Sequence, residues 1–400
     1  MPPDRLLTRS FVACFVANLA QGISFNLFLH FPGFLKELGS SEVEIGLVTS
    51  STALAAVLVR PWVGRGMDTR GRRPLILAGG ALNIVVCALY LTVSAVGPWV
   101  LAVRVAHGLA EALMFAALFT YAADHVPASR RTEGLALFGV SGMLPISLGG
   151  LLGDALLARF DYTAIFAAAL GFAVFALFLS LPLRDAPRSP AGSEPARAFG
   201  AVAVQRDLLP MWLIGTAFSL ALAAVFVFIK PFVLETGLGS VGLFFTSYTG
   251  VALVLRLFFA WLPDRVGPKR MLFPALAVLV LGFLLLASAE TQGDVLLAGA
   301  CCGAGHGYTF PILFAMVVTR AREAERGAVL SIFTALFDAG VLVGGPLFGW
   351  VHGRRVALDA PALGIDAVLQ GYVLVYATAA AILGVGAVAY ALLDRGRRKG

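Results

Sequence analysis

Apolar residues run along this chain in long blocks separated by short polar segments, and twelve such blocks are present. Each is close to the ~20 residues that a helix needs to cross the hydrocarbon of a bilayer. They fall at 10–31, 44–64, 74–96, 99–121, 134–157, 162–183, 209–230, 240–261, 271–290, 294–317, 328–351 and 369–393. The blocks lack the ten-residue alternation of membrane strands, so the pattern predicts helices. The expected fold class is an all-α membrane protein with twelve transmembrane helices. The longest polar interruption, 184–207, is rich in Pro, Ala and Arg and has no apolar period. It reads as a linker between a first six-helix bundle, 1–183, and a second, 208–400.

Composition agrees with lipid as the solvent. Apolar types make up 59% of the 400 residues and charged types only 13%. Soluble chains are about 25% charged. The formal charge of +7 does not point to nucleic acid, because the basic residues sit in short loops. With the N-terminus inside, 22 of the 30 Lys and Arg fall in inner segments; Lys36, Arg159, Lys230, Arg354 and Arg355 fall outside. The asymmetry places both termini in the cytoplasm and the chain in a cell inner (plasma) membrane. The first block reads as a retained span, not a cleaved signal. Trp62, Trp99, Trp212, Trp261 and Trp350 lie near helix ends, as an interfacial belt requires. Cys14, Cys87, Cys301 and Cys302 lie in apolar runs without metal-site spacing, so neither a metal nor a disulfide is expected.

The two halves repeat. Arg60, Asp68 and Gly71 recur 196 residues later as Arg256, Asp264 and Gly267, and Gly46-Leu47 as Gly242-Leu243. Gly149-Gly150 meets Gly344-Gly345 at an offset of 195. Two six-helix repeats related by an axis along the membrane normal are a transporter architecture, with substrate bound between them and one half rocking on the other.

The segment Gly64-Arg-Gly-Met-Asp68-Thr-Arg-Gly71-Arg72-Arg73, between spans two and three, resembles the signature loop of the major facilitator superfamily. A degenerate copy, Asp264-Arg265-Val266-Gly267-Pro268-Lys269-Arg270, follows span eight. Thr69 stands where the family usually has a basic residue. The resemblance implies a conformational latch formed by Gly64, Asp68, Gly71, Arg72, Arg73, Asp264, Gly267 and Lys269. It would tie the halves on the cytoplasmic side when the cavity opens outward. In span four, Arg104-Val-Ala-His107-Gly108 resembles a second family pattern, with His107 replacing the usual Gln. In proton-coupled members that Arg is associated with proton transfer. Gly149-Gly150-Leu151-Leu152-Gly153, with Pro145 upstream, weakly resembles an exporter motif. The whole looks most like the bacterial drug or sugar efflux branch, which exchanges protons for substrate.

A charge at the bilayer centre costs about 2.5–3.5 kcal/mol on insertion scales, so each one needs a reason. Arg104, His107 and Glu111 fall within about 60° of one another on span four, with about 10 Å of rise from first to last. His107 between the other two suggests a proton relay; the plainer alternative is a buried network that orients the helix. Asp338 in span eleven has no charged neighbour on its own helix and joins the proton-coupling candidates. The family fold implies that spans one, four, seven and ten line the cavity. Its polar candidates are Asn18, Gln21 and Asn26 of span one and His306, Tyr308 and Thr309 of span ten; each has the alternative of bonding a neighbouring backbone. Span seven is almost wholly apolar, which favours a partly hydrophobic substrate.

No Gly-x-x-x-x-Gly-Lys-Ser/Thr occurs, and no nucleophile or metal constellation has convincing spacing. The expectation is a transporter and not an enzyme, with no cofactor. Its partners are a small-molecule substrate, protons and the lipid bilayer; no nucleic acid is expected, and the family suggests a monomer. Proton-coupled export of small amphipathic or sugar-like compounds leads; proton-coupled uptake of a small metabolite is the alternative.

Overall fold

The computed structural model describes residues 7–126, 131–185, 202–259, 261–320, 326–359 and 367–394. Among these, twelve helices are long and apolar enough to cross a membrane. They are span one (Arg9–Glu37), two (Glu42–Arg60), three (Arg72–Tyr90), four (Pro98–Ala122), five (Leu137–Leu157) and six (Tyr162–Ser180). The second set is span seven (Leu209–Thr236), eight (Val241–Phe258), nine (Pro268–Ala287), ten (Gln292–Val317), eleven (Ile332–Arg354) and twelve (Leu369–Leu393). An even number of spans among the described residues leaves the first and last of them on one face, the terminal face. Large side chains such as Phe178 and Val385 are exposed on the outer surface. That much apolar surface is stable only against lipid.

Local chemistry sets the helix boundaries. Span two begins with a reciprocal cap: Ser41 Oγ accepts from Glu44 N–H, and the Glu44 carboxylate accepts from Ser41 N–H at 2.8 Å. Its helix does not stop at the membrane but runs as Glu42–Arg70, so most of the signature segment is helix and not loop. The turn is confined to Gly71, at φ +97°, a conformation that side chains disfavour. Gly267, 196 residues on, repeats it at φ +101°. Span one is interrupted by a 3₁₀ segment, Leu27–His30.

Pseudo-symmetry is also visible in the packing. Gly108 of span four lies against the backbone of Thr52 in span two. Its repeat, Gly303 of span ten, lies against the backbone of Tyr248 in span eight. These positions carry the 195–196 offsets of the sequence repeat. Between the halves, span two packs on eleven and span five on eight. Gly46 meets Gly345 at the first contact, and Gly150 meets Gly242 at the second. A side chain at any of these four glycines would separate backbones that now touch. We expect Gly108→Leu to cost roughly 1–3 kcal/mol, because a Cβ there runs into the Thr52 carbonyl. Gly171→Leu is the control, since a Cβ there meets nothing within 4 Å. Thermal unfolding in detergent should fall for the first and stay level for the second.

Two details differ from the sequence reading. Trp212 is buried and donates from Nε1 to Ala203 O at 2.9 Å, while the other four tryptophans are exposed. Lys230 is not a loop charge: it lies inside the helix Leu209–Thr236 and is 6% exposed. The four cysteines are free.

Candidate functional site

A cavity of about 300 Å³ lies between the halves. Span one contributes Phe25, Asn26 and Phe28, span two Thr49 and Thr52, and span four Arg104, Gly108 and Glu111. The second half contributes Phe226 and Val227 of span seven and Phe337, Asp338 and Val341 of span eleven. The walls are largely apolar and aromatic, with Arg104, Glu111 and Asp338 as charged groups. Spans two and eleven thus take part, and none of the lining residues comes from span ten.

The three span-four residues share a face but not a hydrogen-bonded chain. Arg104 donates from Nη2 to Thr49 O at 2.7 Å and from Nε to Val48 O at 3.4 Å. Its Nη1 donates to the Tyr90 hydroxyl at 3.3 Å, and its guanidinium carbon lies 4.6 Å from the centroid of Phe31. Backbone dipoles and a ring face therefore hold this cation. Tyr90 accepts from Arg104, which leaves its O–H to donate to His107 Nδ1 at 3.2 Å. His107 is fully buried and packs edge-on against Phe28. Its Nε2 is buried without a partner among the described residues. The bridge expected from His107 to Glu111 is therefore absent, because the Tyr90 hydroxyl and the aromatic cluster have turned the imidazole toward span three.

Glu111 is held instead by span one. Gln21 donates from Nε2 to Glu111 Oε2 at 3.2 Å. Gln21 Oε1 in turn accepts from Asn83 Nδ2 at 3.1 Å, and Asn83 also reaches Ser24 Oγ. This amide chain fixes a carboxyl on the cavity wall while leaving no cation bonded to it among the described contacts.

Asp338 does have a charged partner, on another helix. Arg60 Nε of span two lies 2.6 Å from Asp338 Oδ2, joining the two halves. The side chains are 17% and 18% exposed, so the pair is mostly withdrawn from solvent.

Of the six polar residues expected along the cavity, Asn26 lines it. Asn18 is buried and donates to Ser141 at 2.8 Å, and Gln21 serves Glu111. His306 Nδ1 is bonded to the Tyr248 hydroxyl and packs against Phe218. Tyr308 donates to Phe259 O at 3.1 Å, and Thr309 is fully buried. His306 and Tyr308 of span ten turn toward span eight, inside the second half, away from the cavity wall.

Of the expected latch, Gly64 and Asp68 lie in the helix Glu42–Arg70 and Asp264 in the short helix Leu262–Val266, and their contacts are outside the described ones. Among the described contacts, the basic residues of the latch are engaged within their own halves. Arg72 Nε pairs with Asp124 at 2.8 Å, and the backbone N–H groups of Arg72 and Arg73 donate to Asp185 Oδ1. Lys269 and Arg320 both pair with Asp394, just past span twelve. Burial pushes the Asp394 carboxyl up, but the Arg320 and Lys269 hydrogen bonds outweigh it and hold it below the usual carboxylate range.

On the face opposite the termini the halves are joined by contacts that are not legible in the sequence. Lys36 of span one pairs with Glu235 of span seven and with Glu42 at 2.9 Å. The Tyr372 hydroxyl of span twelve donates to the same Glu42 at 3.1 Å. Lys36 reads from the sequence as an outer loop charge; its partner Glu235, and the Tyr372 that reaches Glu42, lie on elements distant in sequence.

Comparison with known proteins places this geometry. A Pseudomonas aeruginosa (strain LESB58) protein described as an uncharacterized MFS-type transporter is 28% identical over 350 residues, covering 84% of each chain. The staphylopine export protein of Staphylococcus aureus (strain Mu50 / ATCC 700699) is 23% identical over 336 residues, 81% of this chain and 84% of that one. Among solved structures, the nucleoside transporter NupG superposes with a TM-score of 0.79 at 12% identity, covering 96% of this chain and 100% of the other. A bacterial homologue of the human lysosomal transporter Spinster, inward-facing and unoccupied, gives 0.76 at 14% identity and 96% of each chain. The sequence model of the Major Facilitator Superfamily matches residues 11–345 and 211–400. Twelve spans in two repeats around a shared cavity, matched by that model over nearly the whole chain, make this protein a member of the Major Facilitator Superfamily.

Proposed function

We propose that this chain exports small amphipathic or sugar-like compounds across a bacterial-type inner membrane in exchange for protons, with both termini in the cytoplasm. As a member of its family it is a multi-pass membrane protein and a transporter that works by alternating access. The finer reading rests on one observation above the others. Glu111 is a carboxyl on the wall of a cavity between the halves, bonded to an amide and to no cation among the described contacts. Such a group is available to take up and release a proton as the cavity changes sides. Arg104, Asp338 and its partner Arg60 complete the ionisable set around the same space. His107 contributes by fixing Tyr90 and hence Arg104.

The aromatic walls favour a substrate with an apolar body, and the charged groups favour a polar end on it. The similarity to an export protein supports the outward direction. The excess of Lys and Arg on the terminal face supports a cytoplasmic assignment of that face. With the opposite face closed, Arg72, Arg73 and Lys269 bonded within their own halves fit a released latch.

The test uses the purified chain reconstituted in one orientation and loaded with a fluorescent amphipathic amine. An imposed proton gradient should drive the amine against its own gradient, in the direction opposite to the protons. Movement of both in the same direction would establish uptake symport instead. Flux indifferent to the gradient would remove proton coupling.

A further inference from the structure

Asp154 belongs to the first half, in the last turn of span five, on the face opposite the termini. Its Oδ2 accepts a 2.7 Å hydrogen bond from the backbone N–H of Gly242, which lies in the first turn of span eight, in the second half. The first N–H groups of a helix have no partner within it and carry a partial positive charge. Ser240 caps one of them, Leu243 N–H, from within the same half. The carboxylate of the other half satisfies a second.

The surroundings are built for that reach. Gly150 sits one turn before Asp154, and a Cβ there would lie 3.0 Å from Gly242 Cα. A Cβ on Gly242 would lie 2.6 Å from Asp154 Oδ2 and 2.8 Å from Leu151 Cα. Larger residues at either glycine would push the carboxylate off the helix end. His30 is fully buried; its Nε2 donates to Gly150 O at 3.0 Å and lies 3.8 Å from Asp154 Oδ1. Lys230, buried in span seven of the second half, is close enough to act electrostatically on Asp154. One acid of the first half thus bonds a helix N-terminus of the second, with a buried lysine of the second half within electrostatic range.

Packing does not require an acid at this position. The repeat offset of 195 carries Gly150 to Gly345 and Asp154 to Gly349. Gly349 packs directly on the backbone of Glu42 and Val43 at the start of span two. The equivalent interface between spans two and eleven therefore closes without a carboxylate. The Asp154 side chain is also 24% exposed, so water on that face can replace Gly242 as its partner when the halves part.

We infer that Asp154 is a clasp between the halves: its hydrogen bond to Gly242 N–H holds the cavity shut on the face opposite the termini and breaks each time that face opens. The inference is independent of substrate and of proton coupling, since it concerns the opening equilibrium alone.

Spin labels on cysteines introduced at Phe160 and Thr291, exposed in loops of the first and second halves on this face, report that equilibrium as a distance distribution. The measurement is made on the full chain in lipid nanodiscs. Asp154→Ala should move the closed-to-open ratio toward open by about tenfold, the scale of a lost hydrogen bond to a charged group. Asp154→Asn keeps size and one acceptor and should shift it in the same direction by less. Gly242→Ala, whose methyl displaces the carboxylate while leaving Asp154 itself in place, should reproduce the Ala result. Unchanged distributions in both Asp154 variants would overturn the clasp. So would a lowered unfolding temperature with an unchanged distribution, which would assign Asp154 to packing. Asp154→Asn preserves the shape of the site and carries the test if Asp154→Ala does not fold.

Discussion

Replacing Glu111 with Gln should reduce gradient-driven flux by at least about a hundredfold while substrate exchange at equal pH persists. The amide occupies the same space as the acid and leaves Gln21 with an oxygen to donate to. The Asn83–Ser24 chain behind Gln21 is untouched, so span one and span four stay in register. What is lost is the group that binds and releases a proton. A transporter that no longer needs a proton to turn over is free to exchange substrate but has nothing to drive net movement. The decisive comparison is therefore between two assays on the same proteoliposomes: counterflow without a proton gradient, and accumulation with one. Loss of both would place Glu111 in substrate binding or folding. Full retention of both would take it out of the coupling route and leave Asp338 as the carboxyl on the cavity wall to consider next.

That outcome also bears on how His107 is understood. Position on one helix face made Arg104, His107 and Glu111 look like a relay. It could not say which neighbouring helix each side chain would meet. Tyr90 is 17 residues from His107 in sequence and Gln21 is 90 from Glu111, and both come from other spans. The turn between spans three and four brings Tyr90 alongside; only the packing of span one on span four supplies Gln21.

The same division runs through the molecule. Span number and the half-to-half repeat were legible because both are written in spacing. Gly71 and Gly267 share an offset and a left-handed φ, and Gly108 and Gly303 share an offset and a helix contact. The polar residues of span ten were misplaced because an amphipathic face gives no indication whether it points to a cavity or to a sister helix. His306 and Tyr308 point to span eight. Lys230 was misread because it sits within a few residues of a helix end, where a snorkelling lysine is the ordinary expectation. Asp154 was passed over for a similar reason: an acid near the end of an apolar run looks like a boundary residue. A boundary acid four residues after a glycine that repeats in the other half is a stronger signal, since it marks a close interface with a charge in it.

The pair Arg60–Asp338 gives the second large effect. Asp338→Ala should cost about 2–3 kcal/mol of stability, discounted from the figure for a fully buried pair because both side chains keep some solvent contact. It should also reduce transport at least tenfold. Removing the acid leaves a guanidinium in a low-dielectric cleft without the counter-charge that Asp338 supplies, and removing the base by Arg60→Ala leaves the converse. Each single change penalises the arrangement in which the two halves meet at this point. The exchange Arg60→Asp with Asp338→Arg restores one charge of each sign across the same gap. Transport by the double variant should therefore exceed that of either charge-reversed single variant by about tenfold, a coupling that two independent residues would not show. Asp338→Asn separates the remaining roles. If Asp338 serves only to neutralise Arg60, the swapped pair works under a proton gradient and Asp338→Asn is impaired with or without one. If Asp338 itself carries a coupling proton, the swap restores stability and exchange but not gradient-driven accumulation, since the carboxyl now hangs from span two. Equal failure of the double and single variants in every assay, with thermal stability restored, would show that geometry at Asp338, and not charge balance, governs the cycle.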